Sequence, residues 1–159
     1  MEQQVHFVTV ATADLDAARR FYVDGLDWSP TLDVPGEILF FQIGPGIMLG
    51  LFDAAQFTAD LGPGDLGAAH LGAPADVTPR GFTLSHNVSS PQEVDRVLAA
   101  AAAAGAAIRK PGQPASFGGY HGHFADPNGL LWEIAHNPGW SVTPTGTVLL
   151  APANPETSG

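Results

Sequence analysis

Two stretches of the chain follow one plan, and this duplication limits the possible fold more than any other feature. Residues 6–28 read HFVTVATADLDAARRFYVDGLDW, an alternating apolar run followed by a helix start and an amphipathic helix. Residues 81–108, GFTLSHNVSSPQEVDRVLAAAAAAGAAI, repeat that order. In the first copy Val8 and Val10 alternate with Phe7 and Thr9, the period-two pattern of a strand. Asp14 is a natural N-cap, after which Leu15, Ala18, Phe21 and Tyr22 share one helical face. In the second copy Ser90-Pro91-Gln92-Glu93 is a capping box with proline at the first helical position. Val94, Val97, Leu98 and Ala101 form its apolar stripe, and Gly105 is placed to end it.

The copies also match downstream. Residues 38–53, ILFFQIGPGIMLGLFD, and 121–136, HGHFADPNGLLWEIAH, each read as two strands around a turn. They superpose without a gap, Gly46 on Gly129, Leu49 on Trp132, Gly50 on Glu133 and Leu51 on Ile134. The pattern predicts an α+β fold of two βαβββ modules, over 5–53 and 80–137, within one domain of residues 1–137. Each sheet then has one face beneath its helix and one open, so two modules together enclose a cleft. Residues 54–79 stand outside the repeat and read as a linker or a lid. Residues 138–159 are a partly flexible tail whose apolar patch, Val148-Leu149-Leu150, suits docking on the body or on a partner subunit.

Sixteen acidic and six basic side chains give the 159-residue chain a net charge of −10. The basic residues, Arg19, Arg20, Arg80, Arg96, Arg109 and Lys110, are spread over both modules and form no cluster for a phosphate backbone. That argues against nucleic acid and anionic membrane as partners. No apolar stretch is long enough to span a bilayer, and MEQQVHFVTV lacks the pattern of a secretory signal, so a cytoplasmic protein is expected. The absence of cysteine removes disulfides, thiolate nucleophiles and Cys-type zinc sites.

Two motifs carry a family likeness. TADLDAARRFYVDGLDW resembles the opening helix of the vicinal oxygen chelate superfamily, the glyoxalase/bleomycin-resistance/dioxygenase proteins. GHFADPNGLLWEIAHNP resembles their closing hairpin, in which D-P-(D/N)-G leads to a strand bearing the last metal-ligand Glu. GFTLSHNV, GGYHGHFADPNG and WEIAHNP are similar to an uncharacterised bacterial branch of that superfamily. The resemblance spans residues 5–137 and implies a small-molecule ligand and a homodimer. In metal-using members it also implies two ligands per module, one on the first strand and one on the last. Those positions match Phe7 and Gly50 in the first module, and Phe82 and Glu133 in the second. Phenylalanine and glycine carry no donor, and a single carboxylate holds a divalent ion weakly. No cofactor is therefore expected at the standard positions, while a divalent metal at a relocated site stays open. His6 neighbours Phe7, and a bulge would turn it inward; otherwise it is a solvent-facing strand histidine.

Strand alternation puts His86 on the face of Phe82 and Leu84. The resemblance implies that the residue ten before the closing Glu points into the cleft; here that is His123, with His121 on the same face. The expected ligand-binding lining is Phe7, Ile38, Phe40, Met48, Gly50 and Phe82, with His86 among them and His121, His123 and Glu133 as the catalytic group. Three histidines and a carboxylate admit acid/base chemistry, a relocated metal, or a binding pocket without chemistry. Three functions follow. One is a metal-independent enzyme, lyase- or isomerase-like, acting on a small oxygen-rich molecule with Glu133 as base. Another is a resistance protein that sequesters a drug. The third is a dioxygenase or lyase with a relocated metal. Tyr120, Trp132 and Ile134 alternate onto the opposite face and are expected beneath the helices, with Trp28 in the core. Ser85-His86 lacks the elbow of an activated serine, and Gly44-Pro45-Gly46 lacks the lysine of a phosphate loop.

Overall fold

In each module a buried apolar stripe on the helix meets every second residue of the strands, and that pattern sets the layering. The computed structural model describes residues 1, 3–61, 82–116 and 118–150. Strands β1 (Phe7–Thr12), β2 (Leu32–Val34), β3 (Ile38–Gly44) and β4 (Ile47–Asp53) form one sheet in the order β1-β4-β3-β2. Strands β5 (Leu84–Asn87), β6 (Ala107–Pro114), β7 (Tyr120–Ala125) and β8 (Leu131–His136) form a second, ordered β5-β8-β7-β6. The first and last strands of each module pair in parallel and the remaining pairs are antiparallel. One helix follows the first strand of each: α1 (Leu15–Arg19), which widens into a π-helical turn over Arg20–Gly25, and α3 (Pro91–Ala103). This is the α+β fold that the duplication predicts. Both caps form, Asp14 accepting from the Ala17 N–H and Ser90 from the Glu93 N–H, which satisfies donors that a helix start leaves unpaired.

Helix α2 (Ala54–Leu61) occupies the start of the segment read as a linker or lid; the remainder of that segment, to residue 79, lies outside the described residues. In the C-terminal tail β9 (Trp140–Val142) and β10 (Val148–Leu150) form an antiparallel hairpin, with Val142, Val148 and Leu149 exposed; residues 151–159 are likewise outside the described residues.

The helix-side faces of the two sheets share one core. Val10, Leu39, Phe41, Leu49 and Leu51 from the first sheet meet Phe124, Trp132 and Ile134 from the second, with Leu15, Ala18, Phe21, Tyr22, Val94, Leu98 and Ala101 from the helices. The Trp28 ring lies 5.3 Å from Phe41 on β3 and 5.7 Å from Trp132 on β8. A single ring bridging two sheets requires their helix-side faces to look toward one another, so the opposite faces point away from the shared core. At the centre the Tyr22 hydroxyl donates to the Asp126 carboxylate at 2.8 Å and accepts from the Trp132 indole at 2.9 Å. Burial raises the pKa of Asp126, against the hydrogen bonds donated by Tyr22 and by the N–H groups of Leu130 and Asn128. Asp14 and Asn128 exchange two further bonds of 2.8 and 2.9 Å, joining the start of α1 to the β7–β8 turn. At the far end of α1 a Cβ on Gly25 would come 2.5 Å from that of Ala104, so glycine is what lets the modules touch there.

Tyr22→Phe leaves the buried Trp132 indole without its acceptor and removes a donor from Asp126. A loss of about 1–3 kcal/mol is expected in urea denaturation with an unchanged m-value. Stability equal to the parent would show that the bridge carries no weight.

Candidate active site on the outer face of the second sheet

Strand alternation builds the site. On β7 Gly122 and Phe124 point to the core side and His121 and His123 to the outer face; on β8 Trp132 and Ile134 point inward and Glu133 outward. In the ladder Glu133 is flanked by His123 on β7 and Ser85 on β5, while Lys110 on β6 pairs with His123 from the other side. His121 Nδ1 lies 2.8 Å from Glu133 Oε1, and the Ser85 hydroxyl donates to Glu133 Oε2 at 2.8 Å. Lys110 Nζ lies 2.6 Å from His121 Nε2. An ammonium only donates, so Nε2 accepts and the proton that His121 gives Glu133 sits on Nδ1. The result is a continuous chain, Lys110–His121–Glu133–Ser85. His123 Nε2 is 3.7 Å from Glu133 Oε1, beyond hydrogen-bond reach, and the two imidazoles meet edge to face at 5.2 Å.

Environment sets the charge states. Burial would raise the Glu133 pKa, but the hydrogen bonds from His121 and Ser85 and the nearby imidazoles outweigh it and hold the group below the usual 4.5. Burial lowers the His123 pKa below 6.5 despite the neighbouring carboxylate. At neutral pH the face therefore offers an ionised carboxylate beside a neutral imidazole, two proton acceptors at one point.

The other expected site residues divide into those placed as anticipated and those that are not. Phe7, Phe40, Met48 and Gly50 share the outer face of the first sheet, Phe7 opposite Met48 and Phe40 opposite Gly50. The Phe7 and Phe40 rings are 5.4 Å apart, and a Cβ on Gly50 would meet the Phe40 ring at 2.9 Å. This apolar wall and the His/Glu group lie on different sides of one chain, because the faces between them are spent on joining the modules. Within one copy the two groups of the expected lining stand on separate sheets.

The second-module expectations at Phe82 and His86 need correction by one residue. Leu84 pairs with Trp132 and His86 with Ile134, so both belong to the helix side, and Ser85 is the residue that faces Glu133. Phe82 precedes β5, and Thr83 is the counterpart of Phe7, standing at the same distance before its helix cap. His6 lies before β1, exposed, and the β1–β4 register runs unbroken from Phe7 to Thr12, so no bulge turns it inward. His86 instead borders a cavity of about 690 Å³ between the modules, among Trp28, Phe41, Leu84, Val97 and Ile134. Ser85 also borders that space, whereas His121, His123 and Glu133 do not line it. Ser85 and Lys110 are the site members that sequence reasoning missed. The distance from the Ser90 cap signals the first; the Pro111-Gly112 irregularity beside Lys110 hints at the second.

The four positions where the resemblance implies metal ligands do not fit a metal. Phe7, Gly50 and Phe82 carry no donor; Thr83, the structural counterpart of Phe7, has its hydroxyl donating to the Leu131 carbonyl at 3.1 Å, and Glu133 alone remains. Separately, His121, His123 and Glu133 could hold an ion, with ligand atoms within 4.8 Å of one another. Both nitrogens of His121 are already engaged, so an ion bound through that ring has to displace a hydrogen bond.

Two duplicated modules with a carboxylate and imidazoles on an open sheet face define a protein of the vicinal oxygen chelate class. The sequence matches the model of the Glyoxalase/Bleomycin resistance protein/Dioxygenase superfamily over residues 4–134, and the chain belongs to that superfamily. It is similar to a glyoxalase-related enzyme from Fulvimarina pelagi at 33% identity, covering 94% of this chain and 99% of that one with a TM-score of 0.79. It also matches a glyoxalase/bleomycin resistance protein/dioxygenase from Nocardioides at 26% identity, covering 86% and 84% with a TM-score of 0.61. A lactoylglutathione lyase from Agrobacterium tumefaciens shares the fold at 22% identity, covering 86% and 95% with a TM-score of 0.59. No curated protein matches the sequence significantly. Among the described residues no helix is long and apolar enough to cross a membrane.

The lowered Glu133 pKa makes a contribution to stability that is complete above the usual carboxylate value and lost as pH falls through the lowered one. Ser85→Ala removes one of the bonds that lower it. The Glu133 carboxyl carbon, followed by NMR, should then titrate at higher pH than in the parent, and the acid loss of stability should shrink. An unchanged titration would show that the Ser85 bond is not formed in solution.

Proposed function

We propose that the protein binds a small oxygen-rich molecule on the outer face of the second sheet and moves a proton on it without the standard metal. The observation that carries this reading is the chain Lys110–His121–Glu133–Ser85 with His123 beside the same carboxylate. In this reading Glu133 takes a proton from a carbon next to a carbonyl; the C–H pair forms the carbon–carbon double bond of an enolate while the carbonyl π pair moves onto oxygen, and on collapse the proton returns at a second position or a leaving group departs with its bonding pair. His121 holds the carboxylate in place and His123 orients the substrate oxygen. Such chemistry is lyase- or isomerase-like.

The apolar outer face of the first sheet supports a homodimer. Phe7 is 49% exposed there, with Phe40 and Met48 beside it. In a dimer that sets this wall of one copy over the His/Glu face of the other, the two half-linings meet and water is excluded. The same apolar wall favours a second reading, a resistance protein that sequesters a drug unchanged.

Screening small carbonyl and carboxylate compounds by thermal shift, followed by mass spectrometry of the hits, separates the readings. Proton-transfer chemistry predicts a product peak that falls by about 10²–10⁴-fold in Glu133→Gln and falls also in His123→Phe. Recovery of unaltered ligand after long incubation favours sequestration. Turnover at the parental rate in both variants would remove the assigned site.

A further inference from the structure

We infer that Lys110 stands in this site where a metal would, as a built-in cation that holds His121 and keeps divalent ions off the His121, His123 and Glu133 group. The inference rests on the reading of that group as the functional site and adds to it the charge of its ligand. The three side chains present ligand atoms within 4.8 Å of one another, a set that suits zinc, cobalt or nickel. Such an ion binds imidazole through a lone pair at about 2.0–2.1 Å. The Nε2 lone pair of His121 faces the Lys110 ammonium at 2.6 Å, and its Nδ1 faces Glu133 at 2.8 Å. An ion at Nε2 would have to share that position with a like charge; an ion at Nδ1 would have to displace the proton shared with Glu133.

The backbone that carries Lys110 is held in place on both sides. The β6–β7 register shifts on both sides of it, between Ile108 and Lys110 and between Lys110 and Gln113. Bulges of this kind re-aim a side chain and are enriched beside functional sites. The strand is pressed against α3 immediately afterwards: a Cβ on Gly112 would come 2.1 Å from Asp95 and 2.7 Å from Tyr120, and the Tyr120 hydroxyl donates to Asp95 at 3.1 Å. On the β7 side a Cβ on Gly122 would meet the Lys110 carbonyl at 2.9 Å. Two glycines thus let β6 close on its neighbours with Lys110 aimed at His121.

The consequence for recognition is chemical. An ammonium carries three donors and the bond to His121 uses one. A carboxylate, or the oxyanion that develops when Glu133 takes a proton, therefore meets a fixed positive charge supplied by the protein. The ligand class is a small molecule with a carboxylate or an enolisable carbonyl group.

Cobalt(II) titration of the full chain, purified without a histidine tag, tests this by visible absorption and calorimetry. Lys110→Met should bind cobalt at least about tenfold more tightly than the parent, the scale on which neighbours of a ligand change metal affinity. Lys110→Arg, which keeps the cation, should bind as weakly as the parent, and adding His121→Ala to Lys110→Met should abolish the gain. Lys110→Gln serves as a second neutral variant if Lys110→Met does not fold. Equal affinity of the parent and a folded neutral variant, whether tight or weak, would overturn the inference. The proton-transfer reading is tested separately through the Glu133 variant, so one can fail while the other stands.

Discussion

The Tyr22 hydroxyl is the contact on which the arrangement of the two modules depends. It lies in the shared core, donates to a carboxylate in the β7–β8 turn and accepts from an indole on β8, while its ring packs against Trp28 and Phe41 of its own module. Three polar atoms satisfy one another where water cannot, and an alternative packing would leave some of them unpaired at substantial cost. The aromatic rings around them supply the buried area, and the hydrogen bonds select one geometry for it. Because this contact consumes the helix-side faces, both open faces of the sheets are turned outward.

That outward turn determines what kind of site the chain can offer. One outer face carries apolar rings and a glycine; the other carries a carboxylate, two imidazoles, a hydroxyl and an ammonium. Neither alone is a good pocket, since the first lacks directing groups and the second lacks walls. Set face to face across the proposed dimer, they would give a lining with an apolar side and a charged one. The superfamily's repeated module supplies the scaffold for such a pairing; here Phe7 and Gly50 stand at two of the implied metal positions without a donor, and Glu133 at another is held by hydrogen bonds from His121 and Ser85.

Much of this was readable from the residues, for identifiable reasons. The closing hairpin has a Gly-containing turn at a defined place, so the register of β7 against β8 follows from the sequence and His121, His123 and Glu133 fall on one face. The first module was readable because β1 alternates between half-buried Val8 and buried Val10 on one side and outward Phe7 and Thr9 on the other. Strand β5 gave no such signal. It has four residues, Leu84 to Asn87, with polar side chains on both faces, and the one-residue slip that replaced Ser85 by His86 cost nothing in apparent hydrophobic pattern. Lys110 was hidden by the bulges that make it useful, since they break the period that alternation relies on. The pairing of helix-side faces rests on contacts such as Trp28 with Trp132 that no local pattern announces.

A crystal structure of the chain with a bound ligand from a compound screen tests the central claim most directly. The account predicts a ligand oxygen within hydrogen-bond distance of Glu133 or His123, with its apolar part against the partner subunit's Phe7 and the partner subunit's Phe40. A ligand lodged instead in the cavity among Trp28, Phe41 and His86, with the outer sheet faces bare to solvent, would contradict it.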